Sequence, residues 1–248
     1  MIINTILIII GGFAAGFISS ISGGGSAITM PILFHVGLDI NIAIGTNKLG
    51  KSFASLASAI KYGKSGKIKI NIVKRLIPIS FIGAIIGSNL NLRLDDSVLK
   101  LFSSILISIV ALYSISNKKF GCDNNYNLIN NTQKFLGIIL IFAISVYEGF
   151  LGVGATSFFI FIFIKVYKLN YLYAVASAKI INFITAMVSL SIFLINGKVN
   201  LQIGILLTVF MILGSKVGTK LALKNEIKII KPIFIIVLIM TLFNTIFK

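Results

Sequence analysis

The stretch Ser20–Lys51, SISGGGSAITMPILFHVGLDINIAIGTNKLGK, decides how the chain is organised. Three consecutive glycines, Gly23, Gly24 and Gly25, follow an apolar run of membrane-spanning length and precede an apolar run too short to span. Glycine weakens a helix interior and opens the left-handed region of backbone space, so a helix is expected to break here, inside a hydrophobic segment. Lipid cannot satisfy backbone groups freed at such a break, which must be buried in protein or line a polar cavity. Further on, Thr46, Asn47 and Lys48 fall within another apolar helix. An ammonium at bilayer depth is costly enough to point to function.

The pattern recurs. Adding 131 to each position takes Gly23 to Gly154, Ser26 to Ser157, Ala43 to Ala174, Thr46 to Ser177 and Lys48 to Lys179. The same ungapped register takes Gly66-Lys67 to Gly197-Lys198, Gly83 to Gly214, Gly87 to Gly218, and Lys100 to Lys231. Chance agreement between two Ile-rich halves would be mostly Ile on Ile, whereas these are glycines, hydroxyls and lysines. A tandem duplication is expected, with a first transmembrane repeat at 1–117, a polar linker at 118–131 and a second repeat at 132–248.

A chain of 248 residues that is 57% hydrophobic and 12% charged, with a mean hydropathy of +1.02, is too apolar for a soluble domain. It reads as an all-α, polytopic bundle of transmembrane helices in the inner or plasma membrane. The net charge of +17 could suggest nucleic acid, but no basic stripe is interleaved with aromatics, and most lysines lie between apolar runs; no nucleic-acid partner is expected. Cys122 is the single cysteine, so neither an intramolecular disulfide nor a thiolate metal cluster is available. The first apolar run lacks a basic segment before it and is expected to be retained as a helix.

Helices are expected at about 2–21, 26–36, 42–61, 72–92 and 97–116, then 135–151, 155–166, 171–194, 201–220 and 228–247. At 1.5 Å per residue the short segments 26–36 and 155–166 reach only half-way across the hydrocarbon core. If each broken segment crossed fully, basic residues would divide almost evenly between the two faces. If each enters and returns on the same side, only Arg93, Lys100, Lys198 and Lys248 stand opposite the rest of the loop cations. The second arrangement obeys the positive-inside rule and makes the halves inverted repeats, with both termini outside and the region 117–133 in the cytoplasm.

An anion at the centre would meet two lysines, Lys48 and Lys179, the hydroxyls of Thr46, Ser177, Ser26 and Ser157, the amides of Asn47 and Asn182, and the half-helix N-termini after Gly23, Gly24, Gly25 and Gly154. Helix N-termini favour negative charge. The competing reading is that both lysines snorkel to the interface. Lys51, one turn after Lys48, is a weaker candidate because its repeat partner is Asn182. Glu148 precedes the second break and lies opposite Phe17 in the repeat register; it could carry a coupling proton, pair with a membrane lysine, or sit at a helix end in the interface. His35, the only histidine, cannot make a metal site alone. No G-x-x-x-x-G-K-[ST] is present, so ATP is not expected; no metal, cofactor or catalytic set is expected either.

At Gly16–Ser26 (GFISSISGGGS), Met30-Pro31, Gly45–Leu49 (GTNKL), Gly149–Gly154 (GFLGVG) and Ala174–Lys179 (AVASAK), the sequence resembles the TauE/SafE family of sulfite exporters and 4-toluene sulfonate uptake permeases. The second half departs from the more proline- and glycine-rich form of that pattern. The resemblance covers essentially the whole chain. It implies a secondary transporter with duplicated halves that moves sulfite, an organosulfonate or a related sulfur-containing anion. Coupling to protons or another ion, and assembly as a homo-oligomer, stay open. The competing reading is an integral-membrane enzyme or a scaffold subunit without transport activity.

Overall fold

A computed structural model describes residues 2–92 and 129–246, with side chains as far as Lys224 in the last helix. Every regular element among them is helical: α1 (Ile2–Ser22), α2 (Ser26–His35), α3 (Ile40–Lys64), α4 (Ile70–Asn91), α5 (Asn131–Phe150), α6 (Ala155–Lys165), α7 (Tyr171–Ile195) and α8 (Leu201–Ile246). The helix expected at 97–116, Cys122 and most of the linker lie outside the described residues. Asparagine starts three of the later helices. Asn130 forms a capping box with Gln133, Asn170 Oδ1 accepts from Tyr173 N at 3.1 Å, and Asn200 Oδ1 accepts from Ile203 N at 3.0 Å; such caps contribute about 1 kcal/mol each.

Helices α1, α4, α5, α7 and the Leu201–Lys224 part of α8 are long and apolar enough to cross a membrane. Helix α3 has the length but is more polar, because Thr46–Ser52 are all buried inside the bundle rather than turned to lipid. The expected break near 221–227 does not occur: α8 is one helix of 46 residues. Leu221–Lys231 contains no Gly or Pro, and Lys and Glu are good helix formers, so a polar interruption alone does not end the helix. The turn that would carry the C terminus back toward the N-terminal side is therefore absent.

The glycine breaks are hairpins. Gly23 and Gly24 have φ of 84° and 72°, and Gly152 and Gly154 have φ of 73° and 75°, the left-handed region in which other residues are strained. Helix α2 folds back along α1, so that Gly25 packs on Ala15 and Ser19 while Ile28 and Ile32 reach Gly11. Helix α6 folds back along α5 in the same way, with the Tyr147 and Phe158 rings 5.6 Å apart near the tip and Tyr167 packed on Gly137 at the open end. Each broken segment thus turns back on itself at its glycines.

Contacts between the halves come in reciprocal pairs. Helix α1 packs parallel to α8, where Gly214 meets the backbone of Phe13 and Phe17 and Gly218 meets Phe17 and Ser20. Helix α5 packs parallel to α4, where Gly83 meets Phe142 and Val146 and Gly87 meets Val146 and Phe150. These are the small-residue pairs that let helix backbones approach closely. Helices α3 and α7 run antiparallel: Asn200 N, just after α7, donates to Thr46 Oγ1 at 2.9 Å at one end, and Lys69 N, just after α3, donates to Ser177 Oγ at 3.3 Å at the other.

Cations gather at one end. Lys61 Nζ donates to Lys216 O at 2.8 Å, Lys67 and Lys69 lie over the Tyr173 ring, and Arg75, Lys134 and Tyr167 line one cavity of about 140 Å³. At the opposite end, Lys198 in the α7–α8 loop is the one lysine or arginine among the described residues.

Candidate functional site

The tips of the two hairpins meet in the middle of the bundle against α3 and α7. Ser157 Oγ donates to Ser22 O at 3.2 Å, and a Cβ on Gly23 would fall 2.8 Å from Ser157 N. Gly23 and Ser157 are therefore neighbours across the two breaks. Side chains from α3 and α7 reach the peptide carbonyls beside the two breaks.

Lys48 and Lys179, each 1% exposed, do so reciprocally. Lys48 Nζ donates to the backbone carbonyl of Glu148, one turn before the α5 break, and Lys179 Nζ donates to the backbone carbonyl of Ser19, one turn before the α1 break. Neither side chain snorkels. Both ammonium groups are held inside the protein by backbone carbonyls beside the breaks, of which that of Ser19 also accepts from Gly23 N at 2.9 Å.

The paired contacts also correct the register. Gly218 and Gly87 differ by 131 residues, but the residues they meet, Phe17 and Val146, differ by 129; the starts of α2 and α6 differ by 129 as well. Helix α6 has 11 residues against 10 in α2, and the loop 166–170 is one residue longer than 36–39, which restores the offset by α7. The counterpart of Glu148 is thus Ser19 and not Phe17.

Glu148 is fully buried and is no interfacial residue. Its Oε1 lies 3.1 Å from Lys48 Nζ and its Oε2 lies 2.7 Å from Lys51 Nζ. Lys51, 4% exposed, also donates to Gly152 O at 2.8 Å. Ser19, at the reciprocal place, offers Lys179 only its carbonyl and its hydroxyl at 3.2 Å. Three buried ammonium groups and one buried carboxylate leave the centre formally positive.

Hydroxyls and amides complete the wall. Asn47 Nδ2 donates to Ser26 Oγ at 3.0 Å and Asn47 Oδ1 accepts from Thr29 Oγ1 at 2.6 Å, fastening α3 to α2. Asn182 Oδ1 accepts from Thr156 Oγ1 at 2.7 Å and its Nδ2 donates to Ser55 Oγ at 2.6 Å, fastening α7 to α6 and α3. Thr46 and Ser177 are placed differently, their hydroxyls accepting from loop amides toward the two ends of the bundle. Gly24, Gly25 and Gly154 shape the tips. Ser19, Thr29, Ser55, Thr156 and Gly152 join the site only in three dimensions, and Lys51, the weaker candidate of the sequence, takes a central place. The one sequence signal for Lys51 is its spacing of a single helical turn from Lys48, which puts both on one face. His35 is exposed at the end of α2, and no group of three or more metal-binding side chains occurs among the described residues.

Half-helices that turn back around buried cations, beside helices long and apolar enough to cross a membrane, fit a helical membrane transporter. The Sulfite exporter TauE/SafE family profile matches residues 8–245, and the chain belongs to that family. It is 32% identical over 225 residues to a "Probable membrane transporter protein ORF9" of Sinorhizobium sp, covering 91% of this chain and 85% of the relative. It is 30% identical over 223 residues to the "Probable membrane transporter protein YfcA" of Escherichia coli K12, covering 90% and 82%, and 27% identical over 225 residues to a "Probable membrane transporter protein" of Haemophilus influenzae, covering 91% and 88%. No solved structure matches. The protein is a multi-pass transporter of the cell membrane.

Proposed function

We propose that this transporter is a secondary permease for a small anion, sulfite, an organosulfonate or a related sulfur-containing anion, bound between two inverted repeats at the level of the glycine breaks. The observation that carries this reading is Lys179, 1% exposed and in no ion pair among the described residues. A buried ammonium without a carboxylate is costly, and an anionic substrate would supply the missing charge. Lys48 and Lys51 extend the cationic surface across the other half, Asn47 and Asn182 offer neutral hydrogen-bonding groups beside it, and the breaks at Gly23–Gly25 and Gly152–Gly154 bring half-helix N-termini to the same place. The repeats are those of the sequence, 1–117 and 132–248, and the reciprocal helix pairs support a two-fold axis in the membrane plane. The test is flux: purified protein in liposomes, offered sulfite, thiosulfate, sulfonates and carboxylates at two pH values, should accumulate the sulfur oxyanions. Uptake of none of these anions, or of carboxylates alone, would overturn the assignment.

The basic end of the bundle faces the cytoplasm in this reading. Ser65 and Asn196 are exposed residues of the α3–α4 and α7–α8 loops, 131 residues apart and at opposite ends. In a Cys122→Ser background, N196C should react with a membrane-impermeant thiol reagent in intact cells, whereas S65C should react only after permeabilisation. Labelling of both from outside, or of S65C alone, would refute the orientation.

A further inference from the structure

Glu148 is the one buried acidic side chain among the described residues, and both of its oxygens are engaged. Lys48 and Lys51, one turn apart on α3, each hold one of them, at 3.1 and 2.7 Å. Across the centre, Lys179 of α7 is near enough to feel both the Glu148 carboxylate and the Lys51 ammonium. The side chains of α1, α4 and α6 that hydrogen-bond in this region are hydroxyls: Ser19 on Lys179, Ser88 on Gly149 O, and Thr156 and Ser157 at the α6 start. Within α5, Tyr147 Oη is bonded to Val153 O at 2.6 Å. The titratable groups of α2 and α4, and Lys165 of α6, lie toward the ends of the bundle.

The reciprocal place in the other half holds Ser19. On one side of the centre the ammonium groups already carry an anion, the protein's own; on the other side the ammonium carries none. A small anion entering from water can use Lys179 directly, but it reaches Lys48 and Lys51 only where the carboxylate lets go. Two negative groups on the same two donors would repel each other in a buried, weakly screened site. A protonated carboxyl no longer competes for an ammonium.

We propose that the Glu148 carboxylate and the transported anion compete for Lys48 and Lys51, and that a proton bound at Glu148 is the co-substrate that releases them. This rests on the anion site proposed above. In the exchange, one proton from solution forms an O–H bond on Glu148, its two ion pairs open, and the anion makes charge-assisted hydrogen bonds to the same Nζ atoms. No other bond changes. For a monoanion the site's total charge is the same before and after, so the buried charge stays balanced as substrate enters. Proton and anion bind together, and the coupling is reciprocal: the anion draws in the proton as the proton draws in the anion.

Methanesulfonate is a suitable probe because it stays ionised throughout the neutral and mildly acidic range, so a proton taken up on its binding goes to the protein. Full-length wild-type protein in weakly buffered detergent with a pH-sensitive dye should take up protons as methanesulfonate binds, approaching one per anion. Its apparent affinity should weaken by up to tenfold for each pH unit of alkalinisation, the limit for one linked proton. The Glu148→Gln variant should take up none and show an affinity that does not change with pH. If that variant does not fold with three buried ammonium groups and no carboxylate, the Lys51→Met/Glu148→Gln double variant, which removes one of them, should behave in the same way. Sulfite replaces methanesulfonate if only sulfite binds, with its own buffering subtracted from a protein-free control. Anion binding to wild type without proton uptake, or proton uptake retained without the Glu148 carboxyl, overturns the coupling alone. If neither probe binds wild type, the anion site itself is wrong and the coupling falls with it.

Discussion

Lys179→Met is expected to lower the apparent affinity for the transported anion by roughly 5- to 150-fold, corresponding to about 1–3 kcal/mol for charge-assisted contacts in a buried site, while the protein still folds. The folding part follows from what Lys179 touches. It is held by Ser19 through a carbonyl and a hydroxyl and by no carboxylate, so its removal relieves a desolvation cost and strands no opposite charge. Lys48→Met should act in the same direction, because Glu148 keeps Lys51 at 2.7 Å and is not left as a lone buried anion. Lys179→Arg should rescue only in part, since a planar guanidinium fork does not fit a place shaped for a compact ammonium. Apparent affinity measured in proteoliposomes decides the matter. Unchanged affinity in both methionine variants would leave the lysines as structural staples of the breaks.

Gly23→Leu is expected to cost far more folded protein than Gly37→Leu, although both glycines have the same kind of backbone. Their φ values are 84° and 88°, so each substitution carries about 1–2 kcal/mol of left-handed strain. At Gly37 nothing lies within 4 Å of an added Cβ, whereas at Gly23 it would fall 2.8 Å from Ser157 N and 2.9 Å from Ser157 Oγ. The α6 tip cannot retreat freely, because Ser157 Oγ is bonded to Ser22 O. Overpacking there adds about 1–3 kcal/mol and would part the two hairpin tips on which the cations converge. Monodisperse yield and melting temperature of the two variants provide the comparison. Equal melting would remove the tip contact from the architecture.

Much of this was legible in the chain because the governing forces act over short windows. Hydropathy over some 20 residues marks a span, and a run of glycines marks a break wherever it stands. The lysine pair Lys48 and Lys179 could be found because both copies occur in one register. Pairing of Glu148 with a membrane lysine is one of the readings open to the sequence, but Lys51 is not legible as a partner, since the two are separated by 97 positions and nothing local joins them. The ungapped comparison set Glu148 against Phe17 because the additional residue of α6 and that of the following loop cancel out of sight: the offset is 129 before them and 131 after. The continuation of α8 past Lys224 is not legible locally, because a polar interruption resembles a loop even where the backbone has no Gly or Pro to bend it.

By itself, then, the sequence determined an all-helical membrane protein, two glycine breaks, and buried lysines near each. The reason is that burial in lipid leaves the backbone few alternatives to helix, and glycine alone enters the left-handed region without strain. Only the tertiary structure decided that Ser19 and Glu148 occupy reciprocal places and that one carboxylate serves two lysines. Those choices depend on which backbone carbonyl beside a break a long ammonium arm can reach once α3 and α7 lie antiparallel. The contacts Lys48–Glu148 and Lys179–Ser19 bridge 100 and 160 residues, and packing, not local propensity, selects partners at that separation.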